Sequence, residues 1–372
     1  MREFDVCIAG GGAAGLAAAA QIKNELRVCI LEKNEIPGRK LAATGGGRCN
    51  LTNEACGGKD ATLDFFASIG IETYADDEGR YYPYTNRAAD VIKALTCALG
   101  PNVEIVCGAE VTSVTKEAGR FVIESGGERF AADCFVLATG GKAGPQYGTT
   151  GDGYRIAKAF GHSISRVYPI LAPVKCAGDV DFGKLKGIRT KAAVRLLKDG
   201  EPVAEAAEER GELQFTEDGL SGICVFNLTP YIRAEEGESV PDAMARYSIS
   251  ADLAPDFSSD ELSKRKSSFG ILTGALAEIA DSKMAETGCG TEFIKDWRFP
   301  VKSVKGWRSA QCTAGGIDTD EINMETMESR LVPGLFIAGE VLDVQGPCGG
   351  FNLQNAWETA IKAANAINGK DR

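Results

Sequence analysis

Phe4-Asp5-Val6-Cys7-Ile8-Ala9-Gly10-Gly11-Gly12-Ala13-Ala14-Gly15 decides how this chain folds. A short apolar run ends in Gly10, Gly12 and Gly15, and the spacing predicts an alanine-rich helix from Leu16 to Ile22. A dinucleotide demands that order. Gly10 permits a tight turn, Gly12 lets backbone approach a pyrophosphate, and Gly15 lets the helix pack on the strand. The helix N-terminus then offers unpaired N–H groups and a positive dipole end to the phosphates. A second apolar strand, Arg27 to Leu31, ends at Glu32, close to the spacing of the carboxylate that grips ribose hydroxyls. The expected ligand has an adenosine end.

Working outward, the first half reads as alternating strands and helices. A glycine-rich loop, Gly38 to Asn53, precedes helices near Ala61–Ser68 and Ala88–Leu99, then a strand over Val103–Val106. Val111–Lys116, Phe121–Ser125 and Glu128–Phe130 form an expected antiparallel meander, turned at Ala118-Gly119 and Gly126-Gly127. Asp133 to Ala138 is again a buried, parallel-type run, ending in Thr139-Gly140-Gly141. Ligands of open α/β sheets lie at such strand ends.

From about Ser163 the texture changes to short strands (165–175, 190–197, 201–206, 212–215 and 246–252) joined by Gly, Asp and Pro turns. That pattern predicts an inserted β-barrel or sandwich. Residues 258–286 read as helical, opening on the capping-box pattern Ser258-Ser259-Asp260-Glu261. Sheet chemistry returns at 299–312, Leu335–Ala338 is a final buried strand, and a last helix runs from about Leu353 to Ile367. The expected organisation is a dinucleotide domain split over 1–164 and 299–372, a β-rich domain at 165–255 and a helical piece at 256–298.

Composition bounds the function. The 372 residues can bury a large core, and 44% hydrophobic with 25% charged residues is ordinary for a globular protein. A net charge of −11 argues against nucleic acid as a partner. The one basic stretch, Lys184, Lys186, Arg189, Lys191, Arg195 and Lys198, alternates as the wet face of a strand pair would. No signal segment precedes the first strand and no apolar run approaches the ~18 residues of a membrane span, so a cytoplasmic location is expected. Twelve scattered cysteines contain no CxxC pair, which disfavours a disulfide framework or zinc site. The single histidine, His162, follows Gly161 at a helix end, where a structural role is commoner than a catalytic one.

Three further segments carry the chemistry. Gly38 to Asn53 holds consecutive Gly45, Gly46 and Gly47, which let backbone lie against a flat ring or phosphate, with Arg39, Lys40 and Arg48 adding positive charge. Thr139-Gly140-Gly141 is followed by Thr149-Thr150-Gly151-Asp152-Gly153. Gly339-Glu340 ends the last strand, and Gly349-Gly350 opens the last helix. Glu340 can accept hydrogen bonds from a polyol chain. The helix start aims N–H groups and a dipole at a ring that gains negative charge on reduction, as a flavin does.

On these motifs the chain resembles the bacterial NAD(P)/FAD-dependent oxidoreductases of the aminoacetone oxidase-like family, which includes a reductase of bile-acid dehydroxylation. GGGAAG at 10–15, GRKLAATGGGRCNLTN at 38–53, ATGG at 138–141, GLSG at 219–222 and the AGE to CGGFNLQNAW stretch at 338–357 carry the likeness over nearly the whole chain. It implies a glutathione-reductase-type FAD domain, a Rossmann-like α/β fold, carrying an inserted β-barrel and a small helical subdomain. The stretch between Ser258 and Trp297 is shorter than the family's usual one. The resemblance implies that Gly10, Gly12 and Gly15 hold the pyrophosphate and Glu32 the adenosine ribose. Thr44, Gly45, Gly46, Arg48, Cys49 and Asn50 would line the flavin, Glu340 the ribityl chain, and Gly350, Phe351, Asn352 and Leu353 the ring. Ala13, Ala14, Lys33, Arg39, Lys40, Val111, Thr139, Gly140 and Gly339 complete the expected FAD site.

The expected function is hydride transfer at flavin N5 to or from a small or sterol-like substrate, with reduction of an activated C=C bond as one form of it. Amine oxidation and FAD-dependent RNA modification are the alternatives. Only one dinucleotide fingerprint is present, so NAD(P)H, if it is the donor, visits transiently. Arg80, Tyr82 and Tyr147 are candidate substrate-facing groups. Cys49 and Cys348 are expected to flank the flavin as reduced, unpaired thiols, since Cys49 lacks a closely spaced partner.

Overall fold

The computed structural model describes residues 1–370 apart from 179, 236, 288 and 289. The chain divides into two compact units, Met1–Tyr168 with Cys312–Arg372, and Pro169–Gln311.

The first unit is a Rossmann-type sheet. In chain order it begins β1 (Arg2–Ala9), α1 (Ala13–Gln21), β2 (Val28–Glu32), α2 (Arg39–Ala43), β3 (Thr52–Asn53) and α3 (Lys59–Ser68). It continues β4 (Thr73–Ala75), β5 (Arg80–Pro83), α4 (Ala88–Cys97), β6 (Val103–Cys107), β7 (Val111–Glu117), β8 (Arg120–Ser125), β9 (Glu128–Leu137) and α5 (Asp152–Ala159). The parallel core runs Leu335–Ile337, β9, β1, β2, β6, so the chain grows one way from β1 and later returns on its other side. The strand order therefore reverses between β1 and β9, which is where open α/β sheets bind ligands. Ala138 N–H donates to Ala9 O at 2.9 Å and sets the two strand tips side by side.

Residues buried on both faces explain the parallel core: Val6 to Ala9, Val28 to Leu31 and Phe135 to Leu137 are all buried. Ala17, Ala18 and Ala19 give α1 a small buried side that lies close to the Phe351–Asn368 helix. Asn368 Nδ2 donates to Gln21 O at 2.9 Å where the two helices end.

Two sequence-based expectations need correction here. The third meander strand and the run from Asp133 are one strand, β9. Its first half pairs antiparallel with β8, and its second half lies parallel between β1 and Leu335–Ile337. The burial pattern changes along it because its neighbours do. The Gly38–Asn53 segment is not an open loop: it contains α2, a 3₁₀ turn at Thr44–Gly47 and β3.

The second unit is a barrel of antiparallel strands. Arg189–Lys198, Glu209–Phe215, Gly219–Ser221, Val174–Cys176, Trp297–Val304 and Tyr247–Asp252 follow one another in the sheet, and the last pairs back onto the first. Closure decides between the barrel and the sandwich. Residues from 299 on, expected to return to the dinucleotide domain, continue the barrel strand Trp297–Val304: Trp297, Phe299 and Val301 alternate inward, the two aromatic rings against Phe215. Within 201–206 only Glu201 and Pro202 pair as a strand. The helical stretch after Ser258 is broken. The capping box forms on Ser259–Ser263, and a longer helix starts only at Gly274. Leu262, Leu276, Ala277, Ala280 and Ile294 join the barrel's own hydrophobic cluster.

Candidate functional site

Steric necessity fixes the β1–α1 turn. Gly10 has φ +106°, and a Cβ there would stand 2.5 Å from Ala138 O. A Cβ on Gly15 would stand 1.9 Å from Gly10 O, so the helix can enter this close to the strand only without a side chain. Gly12 differs: nothing lies within 4 Å of its Cβ position, which leaves open space at the start of α1. Ala13 and Ala14 form the first turn of that helix.

Glu32, at the tip of β2, is buried and engaged twice. Its Oε2 accepts from Gly11 N–H at 2.8 Å, and its Oε1 accepts from Asn34 N–H and Nδ2 at 2.8 and 2.6 Å. Lys33 donates to Thr150 Oγ1 at 2.7 Å and pairs with Asp152. Burial works to raise the Asp152 carboxyl, but the Lys33 and Thr150 bonds outweigh it and leave it below the usual range. Arg39 reaches Asn34 Oδ1 and Gln146 O. Val111 starts β7, opposite Ser125, just beyond the Ala109 N–H that donates to Glu32 O.

Segments far apart in sequence meet around Glu340. Its Oε2 pairs with Lys40 Nζ at 2.5 Å, and its Oε1 accepts from Thr313 N–H at 3.0 Å. Thr313 Oγ1 in turn accepts the N–H groups of Lys142 and Ala143, just past Thr139 and Gly140. Gly339 N–H donates to Thr359 Oγ1, tying the strand tip to the last helix. Gly45 and Gly46 are left-handed (φ +57° and +67°) in the turn that starts at Thr44. The Arg48 guanidinium lies 4.4 Å from the centre of the Tyr82 ring. Asn53 Nδ2 donates to Gly349 O at 2.9 Å, and Trp357 Nε1 donates to Leu51 O at 3.0 Å. Those bonds dock the glycine segment on the start of the last helix, where Gly350 (φ +107°) precedes Phe351, Asn352 and Leu353. Asn352 is turned onto Gly346, bonding both its N–H and its carbonyl.

Tyr82 is buried beneath Gly45, Arg80 is paired with Asp76 and Glu78, and Tyr147 lies in a short 3₁₀ turn. Cys49 is buried, with its thiol pushed up to about 12 by burial against a lowering hydrogen bond from Thr44. Cys348 lies within the electrostatic surroundings of the buried Cys312. The eleven described cysteines are free, and Cys289 lies outside the described residues.

The sequence matches the family described as HI0933-like protein Rossmann domain over residues 4–59 and 57–366. The chain belongs to that family. The 3-dehydro-bile acid delta(4,6)-reductase of Clostridium scindens is 34% identical over 412 residues, covering 96% of this chain and 98% of the relative. The ribosomal RNA dihydrouridine synthase of Escherichia coli is 30% identical over 408 residues, covering 99% and 98%. Among solved structures, the open conformation of a flavocytochrome c3 fumarate reductase gives a TM-score of 0.52 at 15% identity, covering 99% of this chain and 78% of that one. The 3-ketosteroid-delta4-(5alpha)-dehydrogenase of Rhodococcus jostii RHA1 gives 0.53 at 14% identity, covering 99% and 97%. The fold is a Rossmann-type FAD-binding one, and the chain is an FAD-dependent oxidoreductase.

The residues present fit that cofactor. Asn50 Oδ1 and Thr139 Oγ1 are buried with no partner among the described residues, and both stand in segments that meet at the strand tips. The first turn of α1 has open space in front of Gly12, as a pyrophosphate requires. Sequence reasoning missed Thr313. Thr313 carries no motif of its own, and its role comes from bonds that span about 170 residues.

Proposed function

We propose that the protein reduces a C=C bond conjugated to a carbonyl, on a small or sterol-sized substrate. The observation that carries this is the shared chemistry of its full-length relatives. A delta(4,6)-reductase of a 3-dehydro bile acid and a dihydrouridine synthase both name products saturated next to a carbonyl. Bound FAD supplies hydride at N5. The chain's own residues hold it: the α1 start and Glu32 at the adenosine end, Glu340 with Lys40 at the polyol, and the Gly350–Leu353 turn at the ring. That turn opens a helix of 18 residues, whose positive end favours the charge of the reduced ring.

NAD(P)H is proposed as a visiting donor. The ladders of the second unit are antiparallel, so among the described residues there is no second parallel nucleotide-binding sheet to house it.

RNA is the second reading, because the dihydrouridine synthases weaken the exclusion drawn from net charge. Total charge says little about one local face. The basic stretch does not supply such a face: Lys186, Arg189, Arg195 and Lys198 are paired with Glu217, Glu212, Glu208 and Glu235. Anaerobic mixing with NADH or NADPH, followed at the flavin absorbance, tests the donor. A 4,6-dien-3-one steroid and a uridine-containing rRNA fragment are then offered to the reduced protein. Reoxidation by the dienone alone supports the proposal, by the RNA alone overturns the substrate class, and by neither overturns both.

A further inference from the structure

Strand β5 touches both glycine segments with one face. Arg80 and Tyr82, two residues apart on it, point to the same side. Arg80 Cγ stands 4.0 Å from the Cβ position of Gly349, and Tyr82 Cε1 stands 3.6 Å from that of Gly45. Arg48 lies over Tyr82, its guanidinium 4.4 Å from the ring centre. Its Nε donates to Gly45 O and its Nη2 to the Tyr82 hydroxyl, both at 3.3 Å. Three contacts thus hold this side chain beside the glycine turn.

Its charge is not met. Arg48 is exposed and pairs with no carboxylate among the described residues, in a chain of net charge −11. A guanidinium is a fork of N–H donors, and the two bonds above leave both Nη1 hydrogens and one on Nη2 for a ligand. The turn is open as well: Gly46 is exposed, and nothing lies within 4 Å of the Cβ positions of Gly46 and Gly47. An oriented fork without a counter-ion suits an oxygen that carries or gains negative charge.

Reduction of a conjugated carbonyl makes such an oxygen. When hydride reaches the β-carbon, the C=C pair shifts toward the carbonyl carbon and the carbonyl pair moves onto oxygen, giving an enolate. The α-carbon then takes a proton from water, and the carbonyl re-forms. A donor fixed in advance at that oxygen lowers the barrier, because the charge develops in its field.

We propose that Arg48 is a catalytic residue whose guanidinium donates to the substrate's carbonyl oxygen and stabilises it as the enolate. This rests on the reading above that the substrate is a conjugated enone.

The test has two arms on the holoenzyme, for the wild type, Arg48→Gln and Arg48→Lys. In the first, 4-cyanophenolate, a planar oxyanion, is titrated into the oxidised protein and followed at the flavin absorbance. Arg48→Gln should weaken its binding about 10- to 100-fold, the size of one charge-assisted hydrogen bond. Arg48→Lys keeps the charge without the fork and should recover part of that loss. In the second arm, the anaerobically reduced protein is mixed with saturating 4,6-dien-3-one steroid. Reoxidation should slow roughly 10²- to 10³-fold in Arg48→Gln, while FAD affinity holds. Equal phenolate affinity in the wild type and Arg48→Gln would overturn the inference, and so would reoxidation at the wild-type rate. A fall in FAD affinity that accounts for the slower reoxidation would assign Arg48 to the cofactor and overturn it too. A wild type that binds the phenolate through Arg48 but is not reoxidised by the dienone would instead overturn the enone reading and leave the oxyanion site standing.

Discussion

Gly11 donates its backbone N–H to Glu32 Oε2 at 2.8 Å, so the glycine turn and the tip of β2 are one bonded unit. The carboxylate does two jobs through two oxygens. It braces the turn and Asn34, and it keeps lone pairs for sugar hydroxyls. Glu32→Ala is therefore expected to weaken FAD binding by roughly 1.5–3 kcal/mol, through a lost charge-assisted acceptor and a loosened turn. Equilibrium titration of the apoprotein measures it, and an affinity within twofold of wild type would remove Glu32 from the site.

Gly12 and Gly15 should separate binding from folding. A methyl at Gly15 meets Gly10 O at 1.9 Å, a clash with backbone that cannot move aside, so Gly15→Ala should lower the melting temperature of the apoprotein and yield little soluble protein. Gly12 has φ −85° and nothing within 4 Å of its Cβ position. Gly12→Ala should leave apoprotein melting unchanged while FAD affinity falls, since the methyl fills space the pyrophosphate needs. Equal melting losses in both variants would contradict this division.

The same contrast explains what the sequence made legible. Gly15 answers to Gly10 five residues away, and Gly10 and Gly350 to the positive φ of their own turns, so the spacing announces those turns. The sequence marks Glu340 as a polyol acceptor, but its pairing with Lys40 joins residues 300 apart and leaves no local pattern. β9 reads as two strands because its first residues are exposed and pair antiparallel with β8, while its last ones are buried between two parallel strands. Tyr82, a candidate substrate-facing group in the sequence, is buried and packs under the glycine turn. In each of these cases the neighbours that decided the outcome came from distant sequence.

Alkali should unfold the protein through its buried thiols. Burial pushes Cys49 up to about 12 and Cys224 up to about 11, so both stay protonated in the fold well past the ordinary thiol range. An unfolded thiol ionises near ~8.5. Above that value the unfolded chain loses protons that the folded chain keeps, and stability falls as pH rises, by about 1.4 kcal/mol per pH unit for each thiol. The loss should run from about pH 9 and level off for each thiol only near its folded value. Urea unfolding at pH 8, 9 and 10 gives the slope, and Cys49→Ala should reduce it by one thiol's share. A slope that Cys49→Ala leaves intact would place the effect elsewhere.

His162 lies between Glu321 Oε2, 2.9 Å from Nδ1, and Ser329 Oγ, 2.8 Å from Nε2, an arrangement that looks like a hydrolytic triad. The hydroxyl argues otherwise. Ser329 is buried, and its Oγ already accepts the N–H groups of Leu331 and Val332 at 3.1 and 3.0 Å. With its lone pairs so used, Ser329 donates to Nε2, and Nδ1–H donates to Glu321, which also accepts Ser163 N–H. The trio is a brace between the end of α5 and the short strands at Ile322–Asn323 and Glu328–Ser329. His162→Ala should cost about 1–3 kcal/mol of stability, because the buried Ser329 and the half-buried Glu321 each lose a bond. It should leave the visible spectrum and affinity of bound FAD unchanged. A serine-reactive fluorophosphonate should not label Ser329 in the native protein, and labelling there, abolished by His162→Ala, would mean that the trio is a nucleophilic centre and not a brace.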